Sequence, residues 1–175
     1  MKITLKQIKK CKPCKEGWRD LLEGLNKKKA DNAEFDAKFV LKNNGLADFC
    51  WVLDEVLDKK KELRLFAYWN AKNCLKSIPK DEKKEFEKVI NTANLYAYGV
   101  VDNVALVSAY NSARESTGDS ICNSAYDSAW HSACKSACKS ACNSTYKSYI
   151  KKAERKLLKI LDGDLPKMYT GKNHY

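Results

Sequence analysis

Residues His131–Ser144 read HSACKSACKSACNS, a polar residue followed by Ser, Ala and Cys, said over and over. The same four-residue word extends both ways. In one register it runs Val107-Ser-Ala-Tyr, Asn111-Ser-Ala-Arg, Glu115-Ser-Thr-Gly, Asp119-Ser-Ile-Cys, Asn123-Ser-Ala-Tyr and Asp127-Ser-Ala-Trp. It continues His131-Ser-Ala-Cys, Lys135-Ser-Ala-Cys, Lys139-Ser-Ala-Cys, Asn143-Ser-Thr-Tyr and Lys147-Ser-Tyr-Ile, so Ser holds the second slot in all eleven tetrads. A strand would place Ser with Cys on one face and Ala with Lys on the other, leaving no clean core, and Ala is poor in strands. A helix puts residues four apart on one side, so each slot becomes a ridge. Four residues turn a helix by about 400°, so each ridge drifts by about 40° per tetrad. The array is therefore expected to break, near Gly118, or to pack on several sides. Its small Ser and Ala ridges let neighbouring helices approach closely. Self-association through them is expected.

The remaining sequence is helical in pattern. Only 7 Gly and 3 Pro occur in 175 residues, which disfavours the many turns of an all-β chain. Thr4-Leu-Lys-Gln7 fits a capping box that starts a short helix. Cys14–Leu25 carries Trp18, Leu21, Leu22 and Leu25 at helical spacing. A loop, NKKKADN, leads to a short helix expected over Phe35–Lys42. Leu46–Leu57 and Lys59–Ile78 are strongly periodic, the second ending at Pro79. A helix capped by Asp81 carries Phe86, Val89, Ile90 and Ala93 and ends near Gly99. Lys151–Leu161 closes the ordered part at Asp162-Gly163. The expected fold is all-α: one helical-bundle domain over 1–163, a long Ser/Ala-rich helix or helical hairpin over 107–150, and an irregular tail over 164–175.

Charge is uneven. The formal net charge is +11, with +7 in residues 1–29 and +5 in residues 147–175. Such clustering suits an anionic partner. Only four of the 33 basic residues are Arg, so much of this charge reads as solvated Lys surface. Met1–Lys10 alternates Lys with apolar residues and lacks the apolar run of a secretory signal. No apolar run is long enough for a membrane span. Eight cysteines without an export signal imply reduced thiols in a cytoplasm rather than a disulfide framework.

The cysteines raise the question of a metal or redox site. Cys11-Lys-Pro-Cys14 is the most motif-like spot. A redox pair needs a strand before it and a helix after it. A zinc site needs a second pair of ligands, and no other Cys-x-x-Cys exists. An interhelix turn is the favoured reading. His131, Cys134, Cys138 and Cys142 sit at i, i+3, i+7 and i+11. One helix cannot wrap them round a single ion, because Cys134 and Cys142 are about 12 Å apart in rise. They read as small apolar fillers. No metal or cofactor is expected. No phosphate loop, His-Glu-x-x-His or nucleophile elbow is present, so the chain is read as non-enzymatic.

The stretch ITLKQIKKCKPCKEGWRDLLEGL resembles the N-terminal signature of an alanine-rich immunity-protein family of bacteria and phages. NNGLADFCWVL and LRLFAYWNAKNCL resemble its middle, the tetrads its Ala-rich repeat, and AERKLLKIL its closing helix. The likeness spans about residues 2–163. It departs in placing Cys where the repeat usually has other small apolar residues. The resemblance implies an all-α fold without catalytic motif, in the cytoplasm of a bacterial host cell. With the clustered charge, it suggests a phage sponge that sequesters a small anionic nucleotide signal, of ADP-ribose or cyclic-nucleotide type. Such a ligand wants aromatic rings for its base and cations for its phosphates. Arg114, Tyr126, Trp130, Lys135, Lys139 and Tyr146 offer these from the array, and Arg64 and Trp69 from the facing central helix. The alternatives are an immunity protein that binds a protein toxin and, more weakly, a nucleic-acid-binding protein.

Overall fold

The computed structural model describes residues 1–75, 83–117 and 144–170. Within them are eight helices and one two-stranded sheet, so the fold is all-α apart from one short antiparallel pairing. The chain divides into two compact units, Met1–Lys60 and Lys61–Tyr175.

In the first unit, strand β1 (Lys2–Thr4) leads straight into helix α1 (Leu5–Lys10). The capping box forms as the sequence predicts. Thr4 Oγ1 accepts the Gln7 N–H, and Gln7 Oε1 accepts the Thr4 N–H at 2.8 Å. Helix α2 (Lys15–Gly24) follows the Cys11–Cys14 turn. Strand β2 (Glu34–Asp36) returns antiparallel to β1, with Ile3 opposite Phe35. This corrects the helix expected from Phe35: the helix, α3, spans Lys38–Asn43 only. The reason is long-range. Lys2-Ile3-Thr4 has the period-2 pattern of a half-buried strand, exposed Lys2 beside buried Ile3, and offers β2 a backbone partner. Asp36 Oδ1 accepts the Lys38 N–H at 3.0 Å just before α3, and this bond holds the Asp36 carboxyl below its ordinary pKa. Helix α4 (Leu46–Glu55) buries Leu46, Phe49, Cys50, Val52 and Leu53, and Cys50 serves as a small core filler.

In the second unit, helix α5 (Lys60–Cys74) is buried over much of its circumference: Leu63, Leu65, Phe66, Ala67, Tyr68 and Ala71 all lie inside. This is the behaviour of a central helix. Helix α6 (Lys83–Ala97) packs Phe86, Val89 and Ile90 against Tyr68, Ala71 and Leu75. Helix α7 (Asn103–Thr117) packs along α6, with Leu106 against Ala93 and Tyr96. Helix α8 (Ser144–Leu161) buries Ala153, Leu157 and Ile160, spaced i, i+4, i+7. The first tetrads fall in α7 and the last in α8. The expected long array between them, its break near Gly118, and the His131/Cys134/Cys138/Cys142 set lie outside the described residues, as do Pro79 and Asp81. Among the described residues no helix is long and apolar enough to cross a membrane.

One glycine decides how closely α2 meets α4. A Cβ on Gly17 would lie 2.5 Å from Asp48 Oδ2 and 3.2 Å from Cys14 Sγ. Gly17→Ala should therefore cost about 1–3 kcal/mol in overpacking, offset by about 1 kcal/mol of helix propensity. The expected net loss of about 1 kcal/mol is read by urea unfolding. An unchanged midpoint would show that Asp48 moves aside freely.

Candidate functional site

A basic concavity in the second unit is a groove of about 700 Å³. Helix α5 supplies Tyr68, Trp69, Lys72 and Asn73, which share one face at i, i+1, i+4 and i+5. Helix α6 supplies Lys83 and Glu87, one turn apart. Helix α8 supplies Lys156, and the segment beyond it supplies Pro166 and Lys167. Four lysines thus line the groove against one glutamate.

The rings are held firmly. Tyr68 is 6% exposed, and Lys72 Nζ stands 5.8 Å from its ring centroid and 3.4 Å from its hydroxyl. Trp69 stacks with the buried Phe66 at 6.2 Å and 9°, and Lys152 Nζ lies 5.8 Å from its ring. An aromatic shelf flanked by ammonium groups is the result.

The irregular segment after α8 is tied down along this groove. Gly163, at φ 99°, takes the left-handed turn that ends α8, and the Asp164 N–H donates back to the Lys159 carbonyl at 2.8 Å. Lys156 Nζ then reaches Asp164 Oδ2 at 3.2 Å. Tyr98 donates its hydroxyl to the Pro166 carbonyl. Asn94, fully buried on α6, accepts the Tyr169 N–H on Oδ1 at 2.6 Å and donates from Nδ2 to the Lys167 carbonyl at 3.5 Å. A side-chain amide thereby pairs with backbone as a neighbouring strand would. Burial, with the neighbouring Tyr68 second, raises the Tyr98 phenol above its ordinary value of 10.0.

No family model, no curated protein and no solved structure matches this chain. The site is therefore read from its own geometry.

Of the residues expected from sequence, Trp69 lines the groove. Arg64 does not: its guanidinium lies over the Tyr96 ring at 4.4 Å, joining α5 to α6. Arg114 belongs to α7 and Tyr146 to α8, but their side chains lie outside the described residues, as do Tyr126, Trp130, Lys135 and Lys139 altogether. Sequence reasoning missed Tyr68, Lys72, Lys83, Lys156 and Lys167. Tyr68 and Lys72 carried a local signal, an aromatic and a cation at i, i+4 beside Trp69. Lys156 and Lys167 carried none, because only the fold brings α8 and the tail to α5.

Tyr98 links the tail to pH. Its folded pKa is raised, so the neutral phenol is favoured in the folded state. The bond to Pro166 is intact below pH 10.0 and is lost as pH rises through the elevated Tyr98 value. Spectrophotometric titration should show a raised phenol ionisation, above 10.0, that is missing from the difference curve of Tyr98→Phe. In Asn94→Ala, which loosens the tail, that midpoint should fall back toward the ordinary value. A Tyr98 midpoint unaffected by Asn94→Ala would disprove the coupling.

Proposed function

We propose that the protein is a non-enzymatic binding protein whose ligand is a small anionic, nucleotide-like molecule held in the α5/α6/α8 groove. The carrying observation is the meeting of the Tyr68–Trp69 shelf with Lys72, Lys83, Lys156 and Lys167 in a concavity of about 700 Å³. That volume suits a drug-sized ligand, for which sites run about 300–1,000 Å³. Trp69 offers a ring to a base, and the lysines offer point charges to phosphates. Lys156 is already paired with Asp164, so Lys72, Lys83 and Lys167 are assigned the phosphate contacts.

In the setting that the sequence resemblance implies, such a protein acts as a cytoplasmic sponge in an infected bacterial cell. It lowers the free concentration of a nucleotide signal by stoichiometric capture. Capture needs affinity and abundance, not turnover, so it draws on no catalytic group. The Ser/Ala-rich tetrads of the sequence suit self-association of the sponge.

Calorimetry with ADP-ribose and with cyclic dinucleotides tests the reading. Micromolar binding is expected, weakening as salt rises because the contacts are largely ionic. Trp69→Ala should weaken it by tenfold or more, since base–aromatic stacking is worth about 1–3 kcal/mol. Lys72→Glu and Lys83→Glu should each weaken it and flatten the salt dependence. The ligand should be recovered chemically unchanged. Absence of heat with every nucleotide, or binding indifferent to Trp69→Ala and both lysine reversals, would sink the proposal.

A further inference from the structure

A second concavity, of about 170 Å³, lies in the Met1–Lys60 unit between α2 and α4. An apolar cavity of about 150 Å³ accommodates a benzene-sized group, so this one takes a short chain of about five or six heavy atoms. Its lining is largely apolar, and two half-buried indoles stand out: Trp18 on α2 and Trp51 on α4. Each sits beside a residue that brings the helices together. Trp18 follows Gly17, and Trp51 lies one turn beyond Asp48.

Asp48 is the one acidic or basic residue among the lining residues. The missing Cβ of Gly17 admits its carboxylate to the flank of α2, next to the Cys14 thiol. Asn44 fixes it there. The Asn44 Nδ2 amide donates to Asp48 Oδ2 at 2.9 Å and to the Gly17 carbonyl at 2.8 Å, which uses both of its hydrogens. The bond from Asn44 goes to Oδ2, which leaves Asp48 Oδ1 for a further donor. Among the described residues no cation pairs with this carboxylate.

We infer that this cavity binds an alkylammonium group, the charge against Asp48 and the aliphatic stem between Trp18 and Trp51. Three physical terms agree on that class. An anion is repelled by Asp48 at close range. A neutral apolar guest fills the volume but leaves the carboxylate oxygen without a donor, which costs more the drier the site becomes. An ammonium supplies the donor and the countercharge together, and tryptophan is the best ring for a cation. Free aliphatic amines and lysine side chains of another protein both present this group.

The test is an NMR titration of the full chain, following the indole N–H signals of Trp18 and Trp51, assigned through Trp18→Phe and Trp51→Phe. The probes are n-butylammonium, its neutral counterpart n-butanol, and Nα-acetyl-lysine amide. Saturable shifts of both indoles are expected with n-butylammonium below about 10 mM, and at least tenfold weaker binding with n-butanol. Saturation by acetyl-lysine amide as well assigns a protein lysine as the source; saturation by n-butylammonium alone assigns a free amine. Asp48→Asn keeps the shape of the site and should erase the preference for the charged probe. Trp51→Phe, which keeps a ring, should weaken binding less than Asp48→Asn does. Indole shifts that never saturate, equal affinity for n-butanol, or undiminished affinity in a folded Asp48→Asn variant would overturn the assignment.

Discussion

The side-chain amide of Asn94 is fully buried, and a buried amide has to be satisfied. It lies on the packed face of α6, one residue from Ala93 in the contact with α7, where an apolar side chain would be the default. Its partners are backbone groups of the segment 167–169, more than seventy residues away in sequence. Leaving either side unpaired costs about 1–3 kcal/mol. The tail is therefore tied to the same requirement that keeps α6 in place. Lys167 owes its position to this pairing, and with it the groove owes one of its walls. The Lys156–Asp164 bridge reinforces the arrangement at the other end of the tail. That pair is partly exposed and contributes little alone. The buried amide is what gives the tail one register.

Much of the fold was legible because its signals are local. The Thr4/Gln7 box and the apolar stripe of α4 depend on neighbours within a turn or two. Gly163 marks the end of α8 for the same reason. On α8 the sequence points to Leu157, Leu158 and Leu161, whereas the buried stripe is Ala153, Leu157 and Ile160. The β1–β2 pairing was not legible as such. Three residues of strand are too short to declare themselves, and what selects them is a partner about thirty residues distant. Phe35 then reads as the start of a helix, because Phe35, Phe39 and Val40 are spaced as a helix would space them. In the fold Phe35 meets Phe39 edge-on at 6.2 Å from the strand instead.

The groove shows the same division. Trp69 was legible as a large ring beside cations. Arg64 was the more attractive cation in sequence, being one of only four arginines and on the same helix. Its planar guanidinium covers the Tyr96 ring instead of lining the groove. The lysines that do line the groove are unremarkable in sequence, since lysine is everywhere in this chain. Their selection is a matter of three-dimensional neighbourhood. Lys72 is chosen by Tyr68 one turn away, Lys156 by the buried stripe of α8 beside it, and Lys167 by Asn94.

The cysteines show how far side-chain chemistry depends on context. Cys50 is fully buried and fills core space. Cys11 donates its thiol to the Glu55 carbonyl at 3.2 Å, beyond the C-terminal end of α1. Cys14 accepts the Gly17 N–H at 3.3 Å and caps α2, a place more often taken by Ser, Thr, Asp or Asn. One residue type thus serves as filler, donor and acceptor within a single unit. A small, weakly polar side chain does each of these moderately well, which is why Cys-x-x-Cys spacing alone fails to distinguish a ligand pair from a turn. The two concavities then differ in sign as well as place. One gathers four lysines and a glutamate around rings; the other sets a single carboxyl among lining residues that include two indoles. Both are lined by tryptophans held half-buried at the edge of a packed core, and the charge beside the ring is what distinguishes them.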